Sequence, residues 1–261
     1  MKKIAIIGYG VVGKGMERLF KKHFNVRVYD IATQPNKELV KGCDLAIICV
    51  PTNELPNGNA DISNVEEVIS WIDAPLILIK STVPPTTTDM LVKKYGKNIC
   101  FSPEYMGESS YFTPFWKYPD PEDARGHTFV IIGGKKASEI ANYFMKVMSV
   151  DTVYSLCSAV EAELTKYMEN CFFATKIAFC NEFYNIAKTL GVEYKKLREN
   201  WLLDPRINRN HTLVFEDNRG FGGKCLPKDL SGIITASEGN GYEPILLKAV
   251  KKSNEKTRNS N

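Results

Sequence analysis

Two short stretches carry residue types that suit chemistry better than packing. The first is Gly8-Tyr9-Gly10-Val11-Val12-Gly13, a GxGxxG pattern. It follows a β-rich run, Lys3 to Ile7, and leads into a helical stretch, Lys14 to His23, after which Val26 to Tyr29 reads as a second strand ending at Asp30. GxGxxG alone is weak, but between strand and helix, with an acid about 20 residues on, it specifies a dinucleotide site. Gly8 permits the tight turn, Gly10 lets the backbone approach a pyrophosphate, and Gly13 lets the helix pack close to the strand. The helix N-terminus at Val11 and Val12 offers N–H groups and a partial positive charge to the phosphates. Asp30 would accept hydrogen bonds from ribose hydroxyls and repel a 2′-phosphate, so the expected cofactor is NAD rather than NADP.

The second stretch is GFGGKCLPKDL, Gly220 to Leu230. Its eleven positions hold three glycines, two lysines, one aspartate and a single thiol, Cys225. Neither helix nor strand propensity asks for that mixture. A further polar set lies on a long helical pattern, Ser158 to Leu190, which has no proline or glycine and is apolar on most sides, as a central buried helix would be. Lys166, Asn170, Ala174, Ile177 and Asn181 fall on one stripe at three- and four-residue spacing. A buried lysine and asparagine are costly unless partnered; the alternative is that Lys166 snorkels to solvent.

These groups need a scaffold, and the rest of the 261 residues supplies one. Asp44 to Val50, Pro75 to Lys80, Asn98 to Phe101 and Thr128 to Ile132 read as strands, the first nearly all apolar as if buried on both faces. Ser63 to Trp71 and Thr88 to Lys94 read as helices between them. The pattern is α/β, a Rossmann-type, mostly parallel sheet over residues 1–152. An all-helical domain, 153–261, follows, with helices over Glu193 to Trp201, Leu226 to Glu238 and Tyr242 to Lys256. Such sheets bind ligands at the carboxyl ends of their strands, which here are Val50-Pro51-Thr52, Ser81-Thr82 and Ser102-Pro103-Glu104. A hydrophobic content of 44% and a charged content of 25% are those of an ordinary globular protein. The net charge of +4 is too mild for a nucleic-acid stripe, and Lys252 to Arg258 reads as a solvated basic tail. No run approaches the ~20 apolar residues of a membrane span. The short apolar run after Lys3 leads into Gly8 and is rejected as an export signal. Seven scattered cysteines without CxxC spacing argue against zinc and disulfides and for a reducing cytoplasm.

Several motifs in order, IAIIGYGVVG, VYD, ICVPTN, LPNGNADISNV, KSTVPPTTT, FSPEYMGES, VEAELTKYMENCFFATKIAFCNE, DPRI and GFGGKCLPKDL, make residues 4 to about 230 resemble the UDP-glucose/GDP-mannose dehydrogenases. The resemblance implies oxidation of a sugar primary alcohol to a carboxylate by two hydride transfers to NAD. It makes Cys225 the nucleophile that forms a thiohemiacetal and then a thioester. Nearby Lys166, Lys224 or Lys228 would favour its thiolate. Glycines Gly222 and Gly223 beside Phe221 would let the loop wrap the sugar closely. Lys166 and Asn170 would surround the oxyanion, Asp229 would orient a water or Lys166, Glu104 would be the general base of hydrolysis, and Thr82 would hold a water. Glu108 would touch cofactor and sugar, Tyr105, Met106 and Gly107 would line the sugar, and Arg206 would reach a partner subunit's site. A homodimer is expected through the segment after the cysteine motif, where Ile245, Leu246, Leu247, Ala249 and Val250 form an apolar set. Neither a membrane nor a nucleic acid is expected as a partner.

The resemblance also implies a third domain that grips the nucleotide, and the expectation is a chain without it. The stretch Ser109 to Pro121, with aromatics over 111–118, and the loop after Arg206 depart from the family pattern. Two other readings remain: a cofactor-binding remnant that works with a partner, and a β-hydroxyacid-type dehydrogenase that relies on Lys166. Cys225 discriminates against the latter, and joint retention of Lys166, Asn170, Cys225, Asp229 and Glu104 against the former.

Overall fold

The computed structural model describes residues 1–106 and 124–259, which form two compact units. Residues Met1–Leu55 with Ala60–Lys166 make the first, and Pro56–Asn59 with Tyr167–Asn261 the second.

The first unit is a seven-stranded sheet in the order β2-β1-β3-β4-β5-β6-β7. Its strands are β1 (Lys3–Ile7), β2 (Asn25–Tyr29), β3 (Leu45–Ile48), β4 (Leu76–Ile79), β5 (Ile99–Phe101), β6 (Phe129–Gly133) and β7 (Val153–Cys157). All pairs are parallel except β5 with β6. The helices are α1 (Val11–Phe20), α2 (Ser63–Trp71), α3 (Thr87–Tyr95) and α4 (Ala137–Phe144). Strands β3, β4 and β5 are buried throughout, and the side chains of β1 and β3 alternate between two cores. Ile4, Ile6, Leu45 and Ile47 pack with Met16, Leu19 and Phe20 of α1 and Ile140 and Phe144 of α4. Ala5, Ile7, Ala46 and Ile48 pack with Val65, Val68 and Ile69 of α2 and Leu91 of α3. Each fully buried isoleucine contributes about 1.5–3 kcal/mol, so these runs anchor the strand ends that carry the polar loops.

The long helix is α5 (Ala159–Thr189), followed in the second unit by α6 (Tyr194–Trp201), α7 (Leu226–Gly239) and α8 (Ile245–Arg258). Sequence reading missed α4 and β7. Helix α4 carries a helical period, Ala137, Ile140, Ala141 and Phe144, but over only eight residues, and β7 is an edge strand with an exposed, mixed sequence. One expectation needs correction. The stripe Asn170, Ala174, Ile177 and Asn181 is buried, but α5 also exposes Met168, Phe172, Phe179, Phe183 and Ile186, so it is not buried on most sides. The basic residues Lys252, Lys256 and Arg258 are exposed, as a solvated tail requires, but they stand on α8, which runs to Arg258 and buries Asn254 and Thr257.

Candidate functional site

The GxGxxG turn has the geometry of a phosphate cradle. Gly8 has φ +92°, and a Cβ there would lie 2.6 Å from the Cys49 carbonyl oxygen. A Cβ at Gly13 would lie 2.1 Å from the Gly8 carbonyl oxygen, so α1 packs against the turn only without one. A Cβ at Gly10 would meet nothing within 4 Å, which leaves room for a ligand against the backbone. Gly10 is also the N-cap of α1 and no side chain caps it, so Val11 and Val12 open a helix end suited to an anion. Asp30 closes the site. Its Oδ2 accepts from Tyr9 N (2.9 Å), and its Oδ1 accepts from Ala32 N, Thr33 N and Thr33 Oγ1 (3.0–3.1 Å). The Tyr9 N–H, with Thr33 and Ala32, holds this carboxyl below its ordinary value against a smaller effect of burial. A fixed anion at the end of β2 suits ribose hydroxyls and opposes a 2′-phosphate. These residues fit NAD.

The next strand ends are tied together. Ser81 Oγ donates to Val50 O (2.6 Å), and Thr52 Oγ1 donates to Thr82 O (2.8 Å). Pro51 is exposed and Thr82 half-buried beside them. After β5, Glu104 is buried, and its Oε1 accepts from Tyr105 N and Met106 N, both at 2.7 Å. Lys80 Nζ lies 3.1 Å from Glu104 Oε2 and donates to Pro103 O (2.7 Å) and Ser102 Oγ (3.3 Å). The Lys80–Glu104 contact is an ion pair by distance but not a directed hydrogen bond. Burial works against the carboxylate, but the Lys80 charge, the Met106 N–H and His127 outweigh it and hold Glu104 below its ordinary range. The ammonium of Lys166 sits 5.0 Å above the Tyr105 ring, which in turn packs edge-on against Phe129. Lys166 is half-buried, so it neither snorkels fully nor sits sealed in the core. One turn earlier, Glu163 accepts from Thr86 N, Thr88 N and Thr88 Oγ1 at the start of α3 (2.6–2.8 Å).

The second unit holds the thiol. Cys225 is the N-cap of α7 and the only exposed cysteine of the seven. Burial pushes up the thiols of Cys43, Cys100, Cys171 and Cys180, which leaves them inert. The carbonyl of Cys225 accepts from Asp229 N (2.9 Å). The Asp229 side chain is 1% exposed; its Oδ2 accepts from Asn170 Nδ2 and its Oδ1 from Lys228 Nζ, each at 2.5 Å. Lys228 is therefore turned to Asp229. Phe221 is buried, and Gly222 is half-buried where a Cβ would lie 2.8 Å from Arg258 Nη1. Only Gly223 has open space around its missing Cβ, so packing against α8, rather than room for a sugar, explains the other glycines of the motif. Arg206 is exposed and paired with its own Asp204 at 2.6 Å. Gly107, Glu108 and the aromatic stretch 111–118 lie outside the described residues. Sequence reasoning missed Lys80, Glu163 and Asn254; a single charge ending an all-apolar strand, as in LILIK, is the one signal that marked Lys80. Among the described residues, no group of three or more His, Cys, Asp or Glu could hold a metal, and no helix is long and apolar enough to cross a membrane.

The NAD binding domain of the UDP-glucose/GDP-mannose dehydrogenase family matches residues 2–147, and that family's central domain matches residues 160–256. A UDP-glucose 6-dehydrogenase of Rickettsia bellii is 34% identical over 232 residues, 84% of this chain and 50% of that protein. Among solved structures, a UDP-glucose dehydrogenase from Pyrobaculum islandicum superposes with a TM-score of 0.79 at 28% identity, over 98% of this chain and 68% of that one. The UDP-D-ManNAc dehydrogenase of Pyrococcus horikoshii gives 0.77 at 25% identity, over 97% and 68%. The chain spans about half the length of the curated relatives it matches.

Proposed function

The chain belongs to the UDP-glucose/GDP-mannose dehydrogenase family, and from that membership we propose that it oxidises the primary alcohol of a sugar, presented as a nucleotide sugar, to a uronic acid. The observation that carries this reading is the buried Asn170–Asp229 pair at the foot of the helix that Cys225 caps. The Gly8 to Gly13 turn and Asp30 would hold NAD, and two NAD molecules used in turn would each supply one two-electron oxidation per sugar. Cys225 attacks the intermediate aldehyde to give a thiohemiacetal, and oxidation of that adduct leaves a thioester for water to cleave. Lys166 and Asn170 stabilise the oxygen that gains negative charge, and Asp229 keeps Asn170 oriented toward that task. Glu104 takes the proton from the hydrolytic water. Its Oε2, which makes no directed hydrogen bond, supports this role. Thr82 holds a water near the reacting carbon. Tyr105, Met106, Gly107, Glu108 and the open Gly223 line the sugar, Phe221 and Gly222 support that turn from behind by packing against α8, and Arg206 serves a partner's site. The exposed apolar residues of α5 and α8, among them Phe172, Phe179, Ile245 and Leu246, support a homodimer. Seven scattered cysteines without CxxC spacing suit a reducing, cytoplasmic setting.

NADH formation against a panel of nucleotide sugars and sugar phosphates tests the reading. A nucleotide sugar should give two NADH per sugar in the wild type, and Cys225→Ser should stop at or near the first oxidation while still binding NAD. Wild-type turnover by Cys225→Ser on the best substrate would refute the cysteine mechanism. Light scattering should give a dimer mass; a monomer at micromolar concentration would count against the association.

A further inference from the structure

The glycine-rich turn before Cys225 lies outside any helix or strand, yet its root is held by side chains from two helices. Phe221 N donates to Asn254 Oδ1 (2.7 Å), and Asn254 Nδ2 donates back to Phe221 O (2.9 Å), so one amide of α8 satisfies both polar groups of that residue. On the other side, Gly220 N donates to Asn181 Oδ1 (3.2 Å). Asn181 Nδ2 is tied to Ile177 O of its own helix (3.0 Å), which fixes the amide so that its oxygen faces the turn. Arg219 adds bonds to Asn181 Oδ1 and to its carbonyl (3.3 and 3.1 Å). Both asparagines are buried, at 1% and 7% exposure, and the Phe221 ring is buried at 1%. The fit is close: a Cβ on Gly220 would lie 2.5 Å from Asn254 Oδ1. Two residues further on, Gly223, Lys224 and Cys225 are exposed. The turn thus has a clamped root and an open tip that ends on the thiol.

We propose that Asn254 and Asn181 are positioning residues that fix the glycine-rich turn and thereby aim Cys225, an assignment that rests on the reading of Cys225 as nucleophile. A buried amide that accepts from one peptide N–H and donates to the same residue's carbonyl cannot be replaced by an apolar group without leaving both unmet. A small displacement of a nucleophile is costly because covalent chemistry needs a near-attack geometry.

The clamp is tested first in the wild-type protein by amide hydrogen exchange. Gly220 and Phe221 N–H should exchange slowly and Gly223 fast; equal rates would overturn the clamp. In Asn254→Ala, and in Asn181→Ser should the former fail to fold, faster exchange should be confined to residues 219–225, and alkylation of Cys225 by iodoacetamide should slow several-fold. With the nucleotide sugar found to be a substrate, kcat should fall about 10- to 100-fold while the Kd for NAD stays unchanged. Loss of protection with unchanged alkylation and kcat would refute the positioning role. A wild type that oxidises no nucleotide sugar would sink the proposed function instead, and the exchange and alkylation rates would still decide the clamp.

Discussion

Replacing Glu163 by glutamine should change how the stability of this protein depends on pH, in a direction that the structure specifies. The Glu163 side chain is 0% exposed, and its oxygens accept from Thr86 N, Thr88 N and Thr88 Oγ1, so it caps α3 from another helix. Thr86, the N-cap of α3, makes no side-chain cap of its own and has φ +76°. Burial raises the Glu163 carboxyl from 4.5 to about 7, against the pull of those three donors and with a small push from Asp89. The folded state therefore binds the proton more tightly than the unfolded state. The stability this contributes is complete below pH 4.5, declines as pH rises, and is gone above about 7. The shift corresponds to about 3 kcal/mol. Glutamine cannot titrate, and with its oxygen toward Thr88 its NH₂ faces the Thr86 N–H, donor against donor, at a cost of about 1–3 kcal/mol. Glu163→Gln should thus be less stable than wild type near pH 4.5, and the gap should close by about 3 kcal/mol by pH 8. Urea unfolding of both proteins from pH 4.5 to 8, followed by circular dichroism, measures the difference at each pH, so other titrating groups cancel. A gap independent of pH would refute the argument. A gap that widens with pH would mean that the three donors outweigh burial.

His211 should show the opposite sign. Burial, with Lys176 adding, depresses its imidazole from 6.5 to about 4, so the stability it contributes is present above pH 6.5 and lost as pH falls through 4; His211→Asn, a residue that tolerates the φ of +62° there, should lose that acid-side decline in the same unfolding assay. Lys80→Met should leave the Glu104 carboxylate buried without its cation and cost about 3–5 kcal/mol, most of it recovered in Lys80→Met/Glu104→Gln; a double variant no more stable than the single one would show that the pair is not coupled. Asp30→Ala should weaken NAD binding and narrow the preference over NADP in calorimetry, and equal wild-type affinity for both cofactors would contradict the role of Asp30.

Local chemistry made the cofactor half legible in the sequence. A turn that needs no side chain at Gly8 and Gly13, a helix opening at Val11 and an acid closing the second strand are contiguous or nearly so, and apolar runs such as Leu45–Ile48 announce strands buried on both faces. The motif around Cys225 was legible by resemblance, and the stripe of Asn170 and Asn181 by helical period. What holds those groups was not. Lys80 meets Glu104 across 24 positions of chain, Glu163 caps α3 from 75 positions away, and Asn254 grips Phe221 from a segment that reads as a solvated basic tail. A buried charge or amide is tolerable only where a partner completes its hydrogen bonds. The sequence shows which residues are polar, and only the packed chain decides which of them meet.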